Sequence, residues 1–259
     1  MTDQHITAKV VARKDFTNDL FCLWLKPETE SGKPFDFKFK PGQYCTIGME
    51  GILRPYSIAS APHEEHIELF VELVPKPHGN LTPLLHQLKV GDSIDLLPKA
   101  KGIFTLDPGY KRHVMVATVT GVAPYVSILR DFLYRSLHFK LSKEEVDSSF
   151  YILQGASYRD EFGYYDELFD LESTCPLSDM TVIYAPTISR PNEARNAGWE
   201  HQETGRVNIV AEDFLSKLYY ISPAKTLVYA CGHPGMIEDI KARLLPRGWK
   251  IKEERFWKE

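Results

Sequence analysis

Arg54-Pro55-Tyr56-Ser57 follows a strand-like run that ends in Phe39-Lys40-Pro41-Gly42-Gln43-Tyr44. On an extended backbone the tetrapeptide places a cation, a flat aromatic face and a hydroxyl at alternating reach. Holding a flavin dinucleotide takes that set: a charge for the pyrophosphate, a ring to stack on the isoalloxazine and a donor near the reactive nitrogen N5. Outward from it the sequence reads as strands. Ile6 to Arg13, Leu20 to Leu25, Tyr44 to Gly48 and Ile67 to Val74 are short and often alternating. Lys40-Pro41-Gly42, Ala61-Pro62, Pro75-Lys76-Pro77 and Val90-Gly91-Asp92 punctuate them. Many short strands with turns at this spacing predict an antiparallel β-barrel. One helix interrupts it, with Thr82 expected as N-cap, Pro83 as first helical residue and an end near Leu88.

The texture changes near Asp107-Pro108-Gly109-Tyr110, which reads as a linker. His113 to Ala117 is a continuous apolar run of the kind found in buried parallel strands. A helical stretch follows from about Pro124 to Leu137. Apolar runs recur at Phe150 to Leu153, Met180 to Tyr184 and Thr226 to Cys231, separated by helical stretches such as Ile237 to Leu245. That alternation predicts a doubly wound parallel sheet. The expected fold class is β + α/β, with an antiparallel barrel over residues 1–107 and a parallel-sheet nucleotide-binding domain over 108–259 that ends in an aromatic tail.

A chain of 259 residues, 43% hydrophobic and 25% charged, suits two ordinary globular domains. The net charge of -4 gives no broad attraction to nucleic acid or to acidic membranes, so neither is expected as a partner. No apolar run approaches the ~20 residues of a membrane span. Met1-Thr2-Asp3-Gln4-His5 lacks the basic start and apolar core of a signal peptide, so a cytoplasmic location is expected; a monomer is expected as well. The four cysteines, Cys22, Cys45, Cys175 and Cys231, form no CxxC pair, and the nine histidines show no ligand spacing; no metal is expected.

Further motifs extend the flavin reading. His78-Gly79-Asn80-Leu81-Thr82 lies at a helix start, where free N–H groups and the helix dipole collect anions. Gly79 is expected to let a phosphate approach the backbone, completing a pyrophosphate clamp with Arg54. Thr118-Val119-Thr120-Gly121-Val122-Ala123-Pro124 joins the first apolar strand to a helix, where a glycine turn can admit a dinucleotide diphosphate. Tyr229-Ala230-Cys231-Gly232-His233-Pro234-Gly235 reads as the junction of the last sheet strand with a helix, at the carboxyl edge. Cys231 there is either a small hydrophobe or a pocket-lining group. Arg190 and Arg206 flank a polar segment; singly they read as solvated charges, and as a pair they can grip a phosphate monoester, which selects NADPH over NADH. In Glu253-Glu254-Arg255-Phe256-Trp257-Lys258-Glu259 the aromatics are expected either to pack on a neighbouring strand or to stack on a bound cofactor.

Taken in order, these motifs resemble the plant-type ferredoxin–NADP reductase family, and within it the bacterial ferredoxin (flavodoxin)–NADP reductases, from about Ile6 to Trp257. The resemblance implies FAD as cofactor and NADP(H) as co-substrate, with hydride exchanged on one side and single electrons passed to or from a ferredoxin or flavodoxin on the other. It implies Arg54, beside Pro55, on the FAD pyrophosphate, Tyr56 stacked on the isoalloxazine and Ser57 hydrogen-bonded to N5. Gly79, Asn80, Leu81 and Thr82 would face the pyrophosphate, and Thr120 would lie near flavin and nicotinamide. Gly121 and Gly232 would contact the pyridine nucleotide, Arg190 and Arg206 its 2′-phosphate, and Cys231 would border the nicotinamide pocket. Glu254 matches a carboxylate the family places near the flavin, Phe256 would cover the flavin face, and Trp257 would stack on the FAD adenine. Ser57, Cys231, Glu254 and Phe256 are thereby the expected catalytic residues.

The sequence departs from the family pattern in three places. Val119 stands where the nucleotide turn usually has the first glycine of Thr-Gly-Thr-Gly. Ser157, with Arg159 two residues on, stands where bacterial members often carry an arginine after the strand that reads as ending at Leu153. Lys258-Glu259 extend past Trp257. Two other readings stand beside this one. An NADH-linked reductase component of a multicomponent oxygenase would share the flavin half, but the chain lacks a cysteine set for an iron–sulfur cluster and carries the two arginines. A binding module without flavin would make Val119 and Ser157 signs of loss.

Overall fold

The computed structural model describes residues 6–139, 141–201, 203–218 and 221–255, with the backbone alone for Glu145. The chain segregates into two compact units: residues up to Leu106 with Ala123–Phe132, and Asp107–Val122 with the residues from Leu133 on.

In the first unit β1 (Ile6–Asp15), β2 (Leu20–Glu28), β3 (Tyr44–Met49), β4 (Ile52–Ser57), β5 (Ile67–Glu72) and β6 (Ser93–Leu96) form one antiparallel sheet in the order β4-β3-β6-β1-β2-β5. A bridge between Ile58 and Leu69 nearly closes it into a barrel. Pro55 limits how far that closure could run along β4. Proline has no N–H, so β4 cannot extend a ladder on its open side at that residue, and pairing across the gap begins only at Ile58. Alternation along β1 turns Ile6, Ala8 and Val10 inward. They meet Phe21, Leu23, Ile47, Leu69 and Leu96 in one core, where each fully buried Val, Leu, Ile or Phe side chain contributes about 1.5–3 kcal/mol.

The helix after β5, α1 (Thr82–His86), corrects two expectations. Leu81, not Thr82, is the N-cap, it makes no side-chain cap, and the helix stops at His86 rather than near Leu88. The Thr82 hydroxyl is engaged elsewhere: it accepts from the Val74 N–H and donates to the Val74 carbonyl, both at 3.0 Å. A short hydroxyl side chain competes for nearby backbone groups in this way, and here the chain leaving β5 is the better partner. The Arg13 guanidinium closes the other end, donating to the carbonyls of His86 at 2.8 Å and Leu88 at 2.9 Å.

The first part of α2 (Ala123–His138) completes this unit. Ser127 Oγ donates to the Ser60 carbonyl at 2.7 Å. Arg130 meets the Glu68 carboxylate at 2.6 Å, and Glu68 is only 3% exposed. The Tyr125 ring lies 5.8 Å from that of Phe104.

The second unit is a five-stranded parallel sheet in the order β11-β10-β7-β8-β9. Its strands are β7 (Arg112–Thr118), β8 (Ser148–Ala156), β9 (Met180–Ile188), β10 (Thr226–Gly232) and β11 (Lys250–Arg255). Its helices, besides the end of α2, are α3 (Lys143–Val146), α4 (Tyr165–Thr174), α5 (Val207–Lys217) and α6 (Pro234–Leu244). The chain starts in the middle at β7, builds outward through β8 and β9, and returns to the other side with β10 and β11. Two sequence readings change. The junction at Cys231 ends the penultimate strand, because β11 follows and pairs with β10 in parallel. Packing on a neighbouring strand therefore describes the chain as far as Arg255, while Phe256 and Trp257 lie outside the described residues. In addition, β8 continues past Leu153 to Ala156, so Ser157 is the first residue beyond it. No described helix is long and apolar enough to cross a membrane.

Candidate functional site

Strand alternation puts Arg54 and Tyr56 on one face of β4 and Pro55 and Ser57 on the other. Arg54 is exposed, and its guanidinium donates to the Leu53 carbonyl at 2.7 Å. The Tyr56 ring packs half-buried against the barrel core. Burial pushes its phenol pKa up, against the opposing pull of Arg54, so the hydroxyl stays protonated. The Ser57 hydroxyl has no hydrogen-bond partner among the described residues. The backbone N–H groups of Asn80, Leu81 and Thr82 likewise have no acceptor among them. Unsatisfied donors of this kind suit an anion. Only the backbone of Leu81 is available, since its side chain belongs to the barrel core. The glycine at 79 also has a steric reason: a Cβ there would overlap the Val74 carbonyl. Asn80–Thr82 make no hydrogen bond or ion pair to β4 among the described residues.

In the second unit the strand order reverses between β7 and β10, and in open parallel sheets ligands bind at the carboxyl ends beside such a switch point. The 3-10 turn Val119–Val122 follows β7 there. A Cβ on Gly121 would overlap the Cys231 carbonyl. Gly232 has φ +124°, and a Cβ on it would overlap the Thr118 hydroxyl, which accepts from the His233 N–H at 2.9 Å. Thr120, Gly121, Cys231 and Gly232 are thus brought together at one edge. Cys231 is fully buried and stands in register with Ala117 on one side and Glu254 on the other. Burial, then the Glu254 charge, holds its thiol pKa well above the usual range. Glu254 is half-buried, has no ion pair among the described residues, and has its pKa raised by burial. Its neighbour Glu253 is engaged by Lys241 at 2.9 Å and Arg255 at 2.8 Å.

Arg190 and Arg206 each lie two residues past a paired position, since Ile188 bridges Thr204 in parallel. Arg190 donates to the Tyr158 hydroxyl at 2.8 Å, and that hydroxyl donates to Glu193 at 2.6 Å. The guanidinium of Arg195 lies 4.1 Å over the same ring. Arg206, the N-cap of α5, is exposed and has no side-chain hydrogen bond or ion pair among the described residues. Arg159 is engaged by the Ala197 carbonyl at 2.6 Å, which fixes it in the loop. Sequence reasoning missed Tyr158 and Arg195; Arg195 was visible as a third cation in the polar segment, whereas nothing marked Tyr158. Among the described residues no group of three or more His, Cys, Asp or Glu is placed to hold a metal ion.

Residues 7–101 match the oxidoreductase FAD-binding domain and residues 115–242 the oxidoreductase NAD-binding domain. A ferredoxin–NADP reductase of Pseudomonas aeruginosa is 31% identical over 225 residues, 83% of this chain and 81% of that one. The chain belongs to the ferredoxin–NADP reductase family. A flavodoxin/ferredoxin–NADP reductase of Buchnera aphidicola is 27% identical over 97% of this chain and 98% of its own length. The reductase component of a propane 2-monooxygenase from Mycolicibacterium goodii is 31% identical over 91% of this chain, but only 62% of that protein is covered. In fold, the chain matches the Neisseria gonorrhoeae ferredoxin NADP+ reductase crystallised with FAD and NADP, with a TM-score of 0.77 over 98% of this chain and 99% of that one at 23% identity. As a ferredoxin–NADP reductase family member the chain is an oxidoreductase with an FAD-binding barrel and a nicotinamide-nucleotide-binding sheet.

Proposed function

We propose that this flavoenzyme exchanges hydride with NADP(H) and single electrons with a ferredoxin or flavodoxin. The observation that carries the coenzyme choice is the pair Arg190 and Arg206, each two residues beyond the bridged Ile188 and Thr204. Two guanidiniums there suit a phosphate monoester, which NADPH has and NADH lacks. The donor set of the barrel fits FAD: an exposed guanidinium, a half-buried phenol ring, an unpartnered hydroxyl and three N–H groups without acceptors. Bound FAD supplies the conversion between two-electron and one-electron chemistry.

The chain's own residues bind, orient and shield. Arg54 and the Asn80–Thr82 amides neutralise the pyrophosphate. Tyr56 stacks on the isoalloxazine, and Ser57 donates to N5. The Thr120–Gly121 turn and Gly232 receive the pyridine nucleotide, while Cys231 and Glu254 border the nicotinamide. Arg190 exchanges its Tyr158 bond for the 2′-phosphate. For Phe256 over the flavin and Trp257 over the adenine, outside the described residues, the assignment rests on family membership. An absorption spectrum under anaerobic NADPH tests the whole reading. Flavin bands that bleach with NADPH, and at least about tenfold more slowly with equal NADH, support it; protein that stays colourless with added FAD refutes it. The similarity to the monooxygenase reductase component supports an NADH-linked alternative, which faster bleaching by NADH would favour.

A further inference from the structure

We propose that Gln154, held in turn by Tyr184, is a positioning residue for pyridine-nucleotide binding: its side-chain amide locks Val119 in the left-handed conformation and so aims the Thr120 N–H into the crevice beyond β7 and β10. The role rests on that crevice being the nucleotide site. Val119 has φ +41°, a region that β-branched residues rarely occupy. Such strain persists only where the surroundings over-determine it. The surroundings here are specific. Gln154 on β8 is fully buried, and its Nε2 donates to the Val119 carbonyl at 3.1 Å. Its Oε1 accepts from the hydroxyl of Tyr184 on β9 at 2.8 Å, and Tyr184 is itself buried. Burial holds the Tyr184 phenol pKa far above neutrality, so it remains a donor. A donor on Oε1 leaves the NH2 group to face Val119, which fixes the amide in one orientation.

The consequence follows from the peptide plane. In a trans peptide the carbonyl of Val119 and the N–H of Thr120 point in opposite directions. A carbonyl drawn to Gln154, within the sheet edge, turns the Thr120 N–H away from it. Glycine at 119 would reach the same φ without restraint. The need for Gln154 is therefore created by Val119, and the two should be coupled.

A double-mutant cycle tests the coupling, with NADP+ binding to the FAD-loaded protein followed by calorimetry and by flavin difference spectra. Q154L is expected to weaken NADP+ about tenfold, the scale of one buried hydrogen bond. In a V119G background the same change should alter Kd by less than about twofold. Y184F, which keeps the ring and frees the amide, should show a smaller loss of about threefold that also vanishes in V119G, and it carries the test should Q154L fail to fold. An unchanged Kd in folded Q154L and Y184F overturns the proposal. So does equal weakening in both backgrounds, which marks general loosening of the sheet. A wild-type protein that binds neither NADP+ nor NAD+, and whose flavin neither NADPH nor NADH reduces, removes the nucleotide reading itself, and this proposal with it.

Discussion

Arg190 has two sets of partners to choose between: the Tyr158 hydroxyl and Glu193 within the chain, and the proposed 2′-phosphate. Arg190→Ala should lower kcat/KM for NADPH by about 10–100-fold, the value of a charge-assisted bond, and leave NADH turnover nearly unchanged. Steady-state kinetics with both coenzymes checks this, and an equal loss for both would assign Arg190 to the loop alone. Arg54→Ala should release FAD on dilution, which a flavin-to-protein absorbance ratio reads directly. At this scale the candidates Arg54, Tyr56, Ser57, Arg190 and Arg206 could be named from residue type alone, and the roles given to them belong to the proposed function. Thr82 was readable as special but not for its reason, and Gly79 gains a second one, since both answer to Val74, a partner that only the fold brings close. Tyr158 carried no signal at all, since its role arises only where the Arg190 and Arg195 loops fold back over it.

Between strands, β7 and β10 meet under tight steric terms, and Gly232→Ala should be costly. The new methyl would combine a disfavoured φ with overlap on Thr118, so we expect about 1–3 kcal/mol lost in urea unfolding and weaker NADP+ binding. The same strands bury His113, whose ring stacks on Phe150 at 5.1 Å and faces Tyr229. Burial pulls its pKa from 6.5 down to about 4, against the opposing charge of Asp107. The unfolded chain therefore takes up a proton in that window that the native state refuses. Stability should be complete above pH 6.5 and fall as the pH drops towards 4, by up to ~3 kcal/mol. Urea midpoints of His113→Phe should show a flatter decline across that window; an identical decline would clear His113. Strand β11 escaped the sequence because Lys250-Ile251-Lys252-Glu253-Glu254-Arg255 has the charged make-up of a sheet edge. The apolar runs of β7 and β10 had no such disguise.

Across the whole molecule, the net charge of -4 opposes an acidic carrier, so docking on a ferredoxin or flavodoxin needs a local basic face. With such a face, flavodoxin reduction should slow several-fold between about 50 and 300 mM salt while a neutral dye is reduced at a constant rate; acceleration by salt, seen in stopped flow, would mean that overall repulsion governs. The order of barrel then parallel sheet was legible because period and punctuation change along the chain. The attachment of Ala123–Phe132 to the barrel unit was not, since it depends on Ser60, Glu68 and Phe104 meeting a helix encoded after the first sheet strand of the other unit. For anyone dissecting this chain, the flavin half is consequently not a contiguous gene fragment. A truncation at the apparent linker discards Arg130, which lies 2.6 Å from the buried Glu68 carboxylate, together with the rest of the Ala123–Phe132 segment, so a designer wanting the barrel alone must graft that helical segment back by a new connection.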